Sequence, residues 1–174
     1  KGSGSAVTLA ISKPARDGLS WNAAYTYTAA KEVSPLTSSV SNSNWAARSI
    51  FNPNEETSEN STYLIRDRVN AKMEWSRSLG GEGYRTTVGV FYEGRRGRPY
   101  NWTFNNDLNG DGAAGNDLMY IPSSPESNEV VFGGATPAEQ QAQRERFWSI
   151  VNANPSLANS RGKVVGRNNA YAPF

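Results

Sequence analysis

Ten consecutive residues, Leu19 to Thr28, alternate without exception: Leu19, Trp21, Ala23, Tyr25 and Tyr27 are set against Ser20, Asn22, Ala24, Thr26 and Thr28. Successive side chains of a strand point to opposite faces, so this period of two predicts a strand with one apolar face and one small or polar face. Three further runs repeat it. Val7, Leu9 and Ile11 oppose Thr8, Ala10 and Ser12; Val69, Ala71, Met73 and Trp75 oppose Arg68, Asn70, Lys72, Glu74 and Ser76; Tyr84, Thr86, Val88, Val90 and Tyr92 oppose Arg85, Thr87, Gly89, Phe91 and Glu93. The runs predict strands near 6–13, 19–28, 63–78 and 84–96, four to five in all.

Connections alternate in length. Lys13-Pro14-Ala15-Arg16-Asp17-Gly18 and Leu79-Gly80-Gly81-Glu82-Gly83 carry the Pro and Gly of short turns, whereas 29–62 and 97–166 are long and polar. Short turns at one end and long loops at the other are the habit of outer-membrane barrels. Composition agrees with a wall that buries one face of each strand: 37% of the 174 residues are hydrophobic, and the mean hydropathy is −0.65. With the short turns placed inside, Trp21, Trp75 and Tyr84 fall near the inner rim and Tyr25, Tyr27, Tyr63 and Tyr92 near the outer rim, as two aromatic girdles would. The fold class expected is therefore all-β, an antiparallel transmembrane β-barrel segment with long extracellular loops, one carrying a short helix. The same alternation also packs the core of an antiparallel sandwich or a water-soluble barrel. Charges inside one strand, Arg68, Lys72 and Glu74, argue against that reading. Length alone suggests one domain. The chain opens directly into a strand and stops at Tyr171-Ala172-Pro173-Phe174 without a closing pattern, which reads as an internal fragment.

The absence of both cysteine and histidine excludes disulfide frameworks, thiol nucleophiles, thiolate or imidazole zinc sites and every histidine relay. With a net charge of +2 and scattered Lys and Arg, nucleic acid is not an expected partner. No enzyme is expected. No run of about 18 apolar residues is present, so no helical span is expected either.

Within the second long loop, Asp107-Leu108-Asn109-Gly110-Asp111-Gly112 has the opening of a calcium loop. Oxygens from Asp107, Asn109 and Asp111 can converge on one hard cation, the glycine at the sixth place allows the turn, and the Ala113 carbonyl can add a ligand. The closing Glu is replaced by Leu118, with Asp117 one place early, so the metal set is Asp107, Asn109, Asp111, Ala113 and Asp117, and the cofactor expected is calcium. The competing reading is an Asn/Gly/Asp surface turn that holds no ion. Thr136-Pro137-Ala138-Glu139 reads as N-cap, first-turn proline and capping-box Glu, opening a helix through about Val151 before Asn154-Pro155 stops it. Its apolar residues Phe147, Trp148, Ile150 and Val151 are expected to pack on neighbouring loop structure.

Arg66, Arg68, Arg95, Arg96 and Arg98 converge at the outer strand ends in this topology and could hold an anionic ligand or the phosphates of lipopolysaccharide. The alternative, which the spacing favours, is cross-strand pairing with Asp67 and Glu93.

The stretch Tyr100-Asn101-Trp102-Thr103-Phe104-Asn105-Asn106-Asp107-Leu108-Asn109-Gly110-Asp111-Gly112, followed by Gly115-Asn116-Asp117-Leu118-Met119-Tyr120-Ile121-Pro122, resembles the late barrel loop of Oar-like TonB-dependent outer-membrane receptors. Asn128-Glu129-Val130-Val131-Phe132, Arg161-Gly162, Arg167-Asn168 and the earlier Gly18-Leu19-Ser20-Trp21 are similar to the same family. The resemblance implies one partial barrel over 1–174, part of a wall of about 22 strands plugged by an N-terminal domain. It further implies transport of a bulky, unidentified substrate, outer-membrane lipid as surroundings and the TonB complex as a partner through a plug that this sequence does not contain. A secreted calcium-binding β-rich adhesion or surface-layer module is the alternative function.

Overall fold

A computed structural model describes residues 2–81 and 83–171; Glu82 of the second expected turn and Ala172 to Phe174 of the open end lie outside the described residues. In chain order the elements are β1 (Gly2–Arg16), β2 (Leu19–Glu32), α1 (Ser41–Ala46), β3 (Glu59–Asn60), β4 (Asp67–Ser78), β5 (Arg85–Arg95), β6 (Pro99–Tyr100), β7 (Tyr120–Ile121), α2 (Pro137–Ala153), α3 (Pro155–Ala158), β8 (Lys163–Val164) and β9 (Ala170–Tyr171). The chain divides into two compact units, one of residues up to Glu32, Asn60–Pro99 and Tyr171, the other of Val33–Glu59 and Tyr100–Ala170.

The first unit is an antiparallel sheet in the order β1-β2-β4-β5, open at both edges, with no closed barrel among the described residues. β1 with β2 and β4 with β5 are hairpins, whereas β2 and β4 pair across a long connection. Register preserves the two residue classes across the whole sheet. Leu9 lies opposite Tyr25, Tyr25 opposite Val69, Ala71 opposite Tyr92 and Met73 opposite Val90. All of these belong to one face. On the other face Thr8 lies opposite Thr26, Thr26 opposite Arg68 and Arg68 opposite Arg95.

The first strand is longer than the alternation indicates and runs through Pro14 to Arg16, with a register shift between Lys13 and Arg16. Proline lacks an N–H to donate, and a bulge beside the turn is a place that tolerates the loss. The turn itself is the two residues Asp17 and Gly18, with φ of 55° and 79°. Positive φ at both central positions is the hairpin turn whose twist matches the strands, and Asp-Gly is its preferred pair. β4 begins at Asp67, not 63, because residues ahead of it turn: the Leu64 amide donates to the Ser61 carbonyl, and Leu64 is buried. Tyr63 thus belongs to the connection and not to the sheet; Tyr84 likewise precedes β5.

The second unit falls mostly within the expected outer loops 29–62 and 97–166, and it has a core of its own. Met119, Ile121, Trp148, Val151, Leu157 and Val165 are buried together, with Trp102, Phe104 and Phe147 packed against them. The helix α2 has the predicted start. Thr136 caps it, its side chain accepts from the Glu139 amide, and the Glu139 carboxylate accepts from the Thr136 amide in return. Of its four apolar residues, Trp148 and Val151 face the core, whereas Ile150 is half exposed. β7 pairs antiparallel with β8 behind it, and the Val165 amide donates to the Met119 carbonyl.

Gly18 carries two constraints at once. A Cβ there would sit 2.2 Å from the Ser76 carbonyl oxygen, in addition to the left-handed φ. Gly18→Ala is expected to cost more than the roughly 1–2 kcal/mol of a left-handed L-residue, read as a lowered midpoint of the sheet's circular-dichroism melt.

Candidate functional site

The apolar face of the sheet is the feature with the largest functional content. Val7, Leu9 and Ile11 on β1 are 69%, 75% and 62% exposed, and Val88, Val90 and Tyr92 on β5 are also more than half exposed. Ladder pairs between β-branched and aromatic side chains stabilise the sheet but do not remove this surface from solvent. The band has ends. On β1 it is bounded by Ser5 and Lys13, and in register with Tyr27 it gives way to Asp67. The Asp67 carboxylate accepts from the Tyr25 hydroxyl at 2.6 Å and pairs with Arg96 at 3.4 Å, so the first charge beyond the band is fully engaged. Trp21 and Trp75 stand at the opposite end, near the Asp17-Gly18 turn, with Trp75 opposite Leu19.

The other face is a polar ladder. Thr8 and Thr26 hydroxyls bond at 2.9 Å, Ser76 and Thr87 at 2.9 Å, Lys72 pairs with Glu74 at 3.3 Å and Arg68 with Glu93 at 3.0 Å. Such exposed pairs contribute little each, roughly 0–1 kcal/mol. They fix which side chains this face shows.

The five arginines divide into three arrangements. Arg68 and Arg95 lie directly opposite each other, and Glu93 sits diagonal to offset the like charges. Arg66 and Arg96 place their guanidinium carbons 4.7 and 4.6 Å from the ring centre of Tyr171. Arg98 stacks at 5.9 Å over Tyr63. The cross-strand pairing with Asp67 and Glu93 is therefore present, and the five do not meet at one point. Cation–π contact with Tyr171 was not legible in the sequence, because that ring arrives from far along the chain. Burial pushes the Tyr171 phenol up, while Arg66 and Arg96 oppose the shift.

In the second unit the Asp107 turn closes on its own carboxylates. Asp107 accepts from the Gly110, Asp111 and Gly112 amides at 2.7, 3.1 and 3.0 Å. Asn109 Oδ1 accepts from the Asp111 amide at 2.9 Å, and Asp111 accepts from the Ala113 amide at 2.8 Å and from Asn116 Nδ2 at 3.0 Å. These are the oxygens a calcium ion would take, together with the Ala113 carbonyl. Asp117 does something else: it is 2% exposed and accepts from the Leu108 and Asn109 amides. Among the described residues no three acidic side chains gather as a metal-holding group. Turn and ion-loop share one sequence pattern because Asx oxygens that cap N–H groups are the same oxygens that bind cations.

Comparison with family models, with curated proteins and with solved structures finds no match.

Replacing Asp107 by Ala leaves the Gly110 and Gly112 amides without their acceptor, while the Asp111 amide keeps Asn109 Oδ1. Asp107→Ala is expected to raise hydrogen exchange at Gly110 and Gly112 by about tenfold or more, following a loss of about 1–2 kcal/mol, with β2 amides unchanged.

Proposed function

We propose that the chain is part of the wall of a transmembrane β-barrel in a bacterial outer membrane. More particularly, it is a segment of an Oar-like TonB-dependent receptor that moves a bulky substrate across that membrane. The observation that carries this reading is the apolar face kept in register across β1, β2, β4 and β5 while the opposite face is small or polar apart from Phe91. Leu19 to Tyr27 spans eight steps of about 3.3 Å, and a tilt near 40° makes that roughly 20 Å of height, against an apolar band of about 25 Å in such barrels. Open edges on β1 and β5 suit a sheet that continues into further strands. A soluble sandwich would need a second layer over Val7, Leu9 and Ile11, which are exposed. The family itself is supported by the residues of 100–122 quoted above. In this reading the TonB complex and the substrate are partners of the parent protein.

The chain has no cysteine, which makes single-site labelling direct. Nitroxides placed by Ala23→Cys and Ala71→Cys, opposed on the apolar face, and by Ala24→Cys and Asn70→Cys, opposed on the polar face, are read in isolated envelopes by relaxation with oxygen and with a water-soluble nickel complex. Residues 23 and 71 are expected to favour oxygen, and 24 and 70 nickel. Equal nickel access on both faces would sink the membrane reading.

One observation favours the second reading, a secreted calcium-binding module: the turn oxygens of Asp107, Asn109 and Asp111 lie in calcium-loop order. In that case the chain melts at a higher temperature with calcium than with chelator, Asp107→Ala removes the difference, and labels at 23 and 71 meet water.

A further inference from the structure

Asn109-Gly110 is the one Asn-Gly pair in the chain, and Asp111-Gly112 follows it in the same turn. An asparagine followed by glycine is the sequence most open to deamidation, because glycine has no Cβ to hinder its backbone nitrogen as it approaches the side-chain carbonyl carbon. The Gly110 nitrogen, having given its proton to hydroxide, bonds to Asn109 Cγ. The bond from Cγ to the side-chain nitrogen then breaks, and ammonia leaves with a proton from water. Water opens the resulting five-membered imide at either carbonyl, to aspartate or to isoaspartate. Hydroxide and water are the only reactants, and both reach this turn: Asp107, Leu108 and Gly110 are exposed.

The folded turn opposes what its sequence invites. The Gly110 amide, which is the nucleophile, donates to Asp107 Oδ1 at 2.7 Å, a short bond to a charged acceptor. Removing its proton would place a second negative charge beside that carboxylate. The reactive form of the amide is therefore disfavoured twice, by the lost bond and by like-charge repulsion. Asn109 Oδ1 accepts from the Asp111 amide at 2.9 Å, which fixes the group that would be attacked. The other Asp107 oxygen accepts from the Gly112 amide at 3.0 Å, and that nitrogen is the one that would close the same ring on Asp111 with loss of water. One carboxylate thus covers both nucleophiles of the turn. We propose that Asn109 is a modification site guarded by Asp107, whose hold on the Gly110 amide keeps the asparagine from becoming aspartate or isoaspartate. Aspartate at 109 would set three carboxylates at alternate positions, and isoaspartate would add a backbone carbon inside the turn. Asp107 therefore preserves this loop as well as shaping it. All these residues belong to the second unit, so the inference stands or falls apart from the membrane reading.

The test incubates the full chain in lauryldimethylamine oxide at mildly alkaline pH and follows Asn109 by peptide mass spectrometry. The readout is the gain in mass when a side-chain NH2 becomes OH, with isoaspartate separated by elution time. Folded wild type is expected to deamidate at Asn109 about tenfold or more slowly than the same chain in urea. Asp107→Ala is expected to raise the folded rate by about tenfold, the effect of losing one bond to a charged group. Asn116→Ala removes a different bond of the same turn, from Asn116 Nδ2 to Asp111 Oδ2 at 3.0 Å, and is expected to leave the Asn109 rate near that of wild type. Asn42-Ser43, held in α1 away from these bonds, reports unfolding and is expected to react at the folded wild-type rate in both variants. If Asp107→Ala speeds Asn42 as well, Asp107→Asn, which keeps the side-chain shape and removes the charge, decides the matter and is expected to speed Asn109 alone. An Asn109 rate as fast in the folded chain as in urea would overturn the inference. So would no acceleration on replacing Asp107, or equal acceleration by Asn116→Ala.

Discussion

Register between β2 and its two neighbours is the constraint on which the sheet depends. With a side-chain period of two, a slip of one residue would exchange the faces of a strand. A β4 slipped by one residue would bring Glu74 opposite Trp21 and Lys72 opposite Ala23, and Met73 opposite Asn22. Desolvating unpaired charges costs far more than any single ladder contact returns. The two-residue Asp17-Gly18 turn sets one side of this register, and the nine pairs between β2 and β4 hold the other. Because the central pairs match apolar with apolar, from Val7 opposite Tyr27 to Trp75 opposite Val88, the apolar band emerges as one continuous surface and not as a scatter of exposed side chains.

The strands were legible because strict alternation over many residues has few other physical meanings. Their ends were less so. Pro14 reads as the start of a turn, yet the bulge carries it inside β1; Tyr63 reads as the first residue of a strand, yet the turn closed by Leu64 and Ser61 keeps it outside. The second unit was hardly legible at all. Its strands are two residues long, too short for any period, and its core draws Met119, Val151 and Val165 from segments that look polar in sequence. Only α2 announced itself, through its capping box.

The candidate sites divide in the same way. Arg68 with Glu93 and Arg96 with Asp67 followed from strand alternation, since cross-strand neighbours can be counted along the sequence. The contact of Arg66 and Arg96 with Tyr171 could not be counted, because it depends on where β9 is placed. Asp117 was readable as an oxygen ligand, but whether it binds a cation or accepts from backbone amides depends on how Leu108 and Asn109 turn.

The two free edges of the sheet have a consequence for how a cell must handle the chain. Soluble proteins blunt their edge strands with proline, lysine or inward charges so that other chains cannot add to them. Between Ser3 and Ser12, β1 has none of these, and β5 has neither proline nor lysine along its length. Left unpaired, such edges would template strand addition by any copy nearby, and the exposed apolar face would hold the product together. On the barrel reading proposed above, pairing with further strands is what removes both hazards at once.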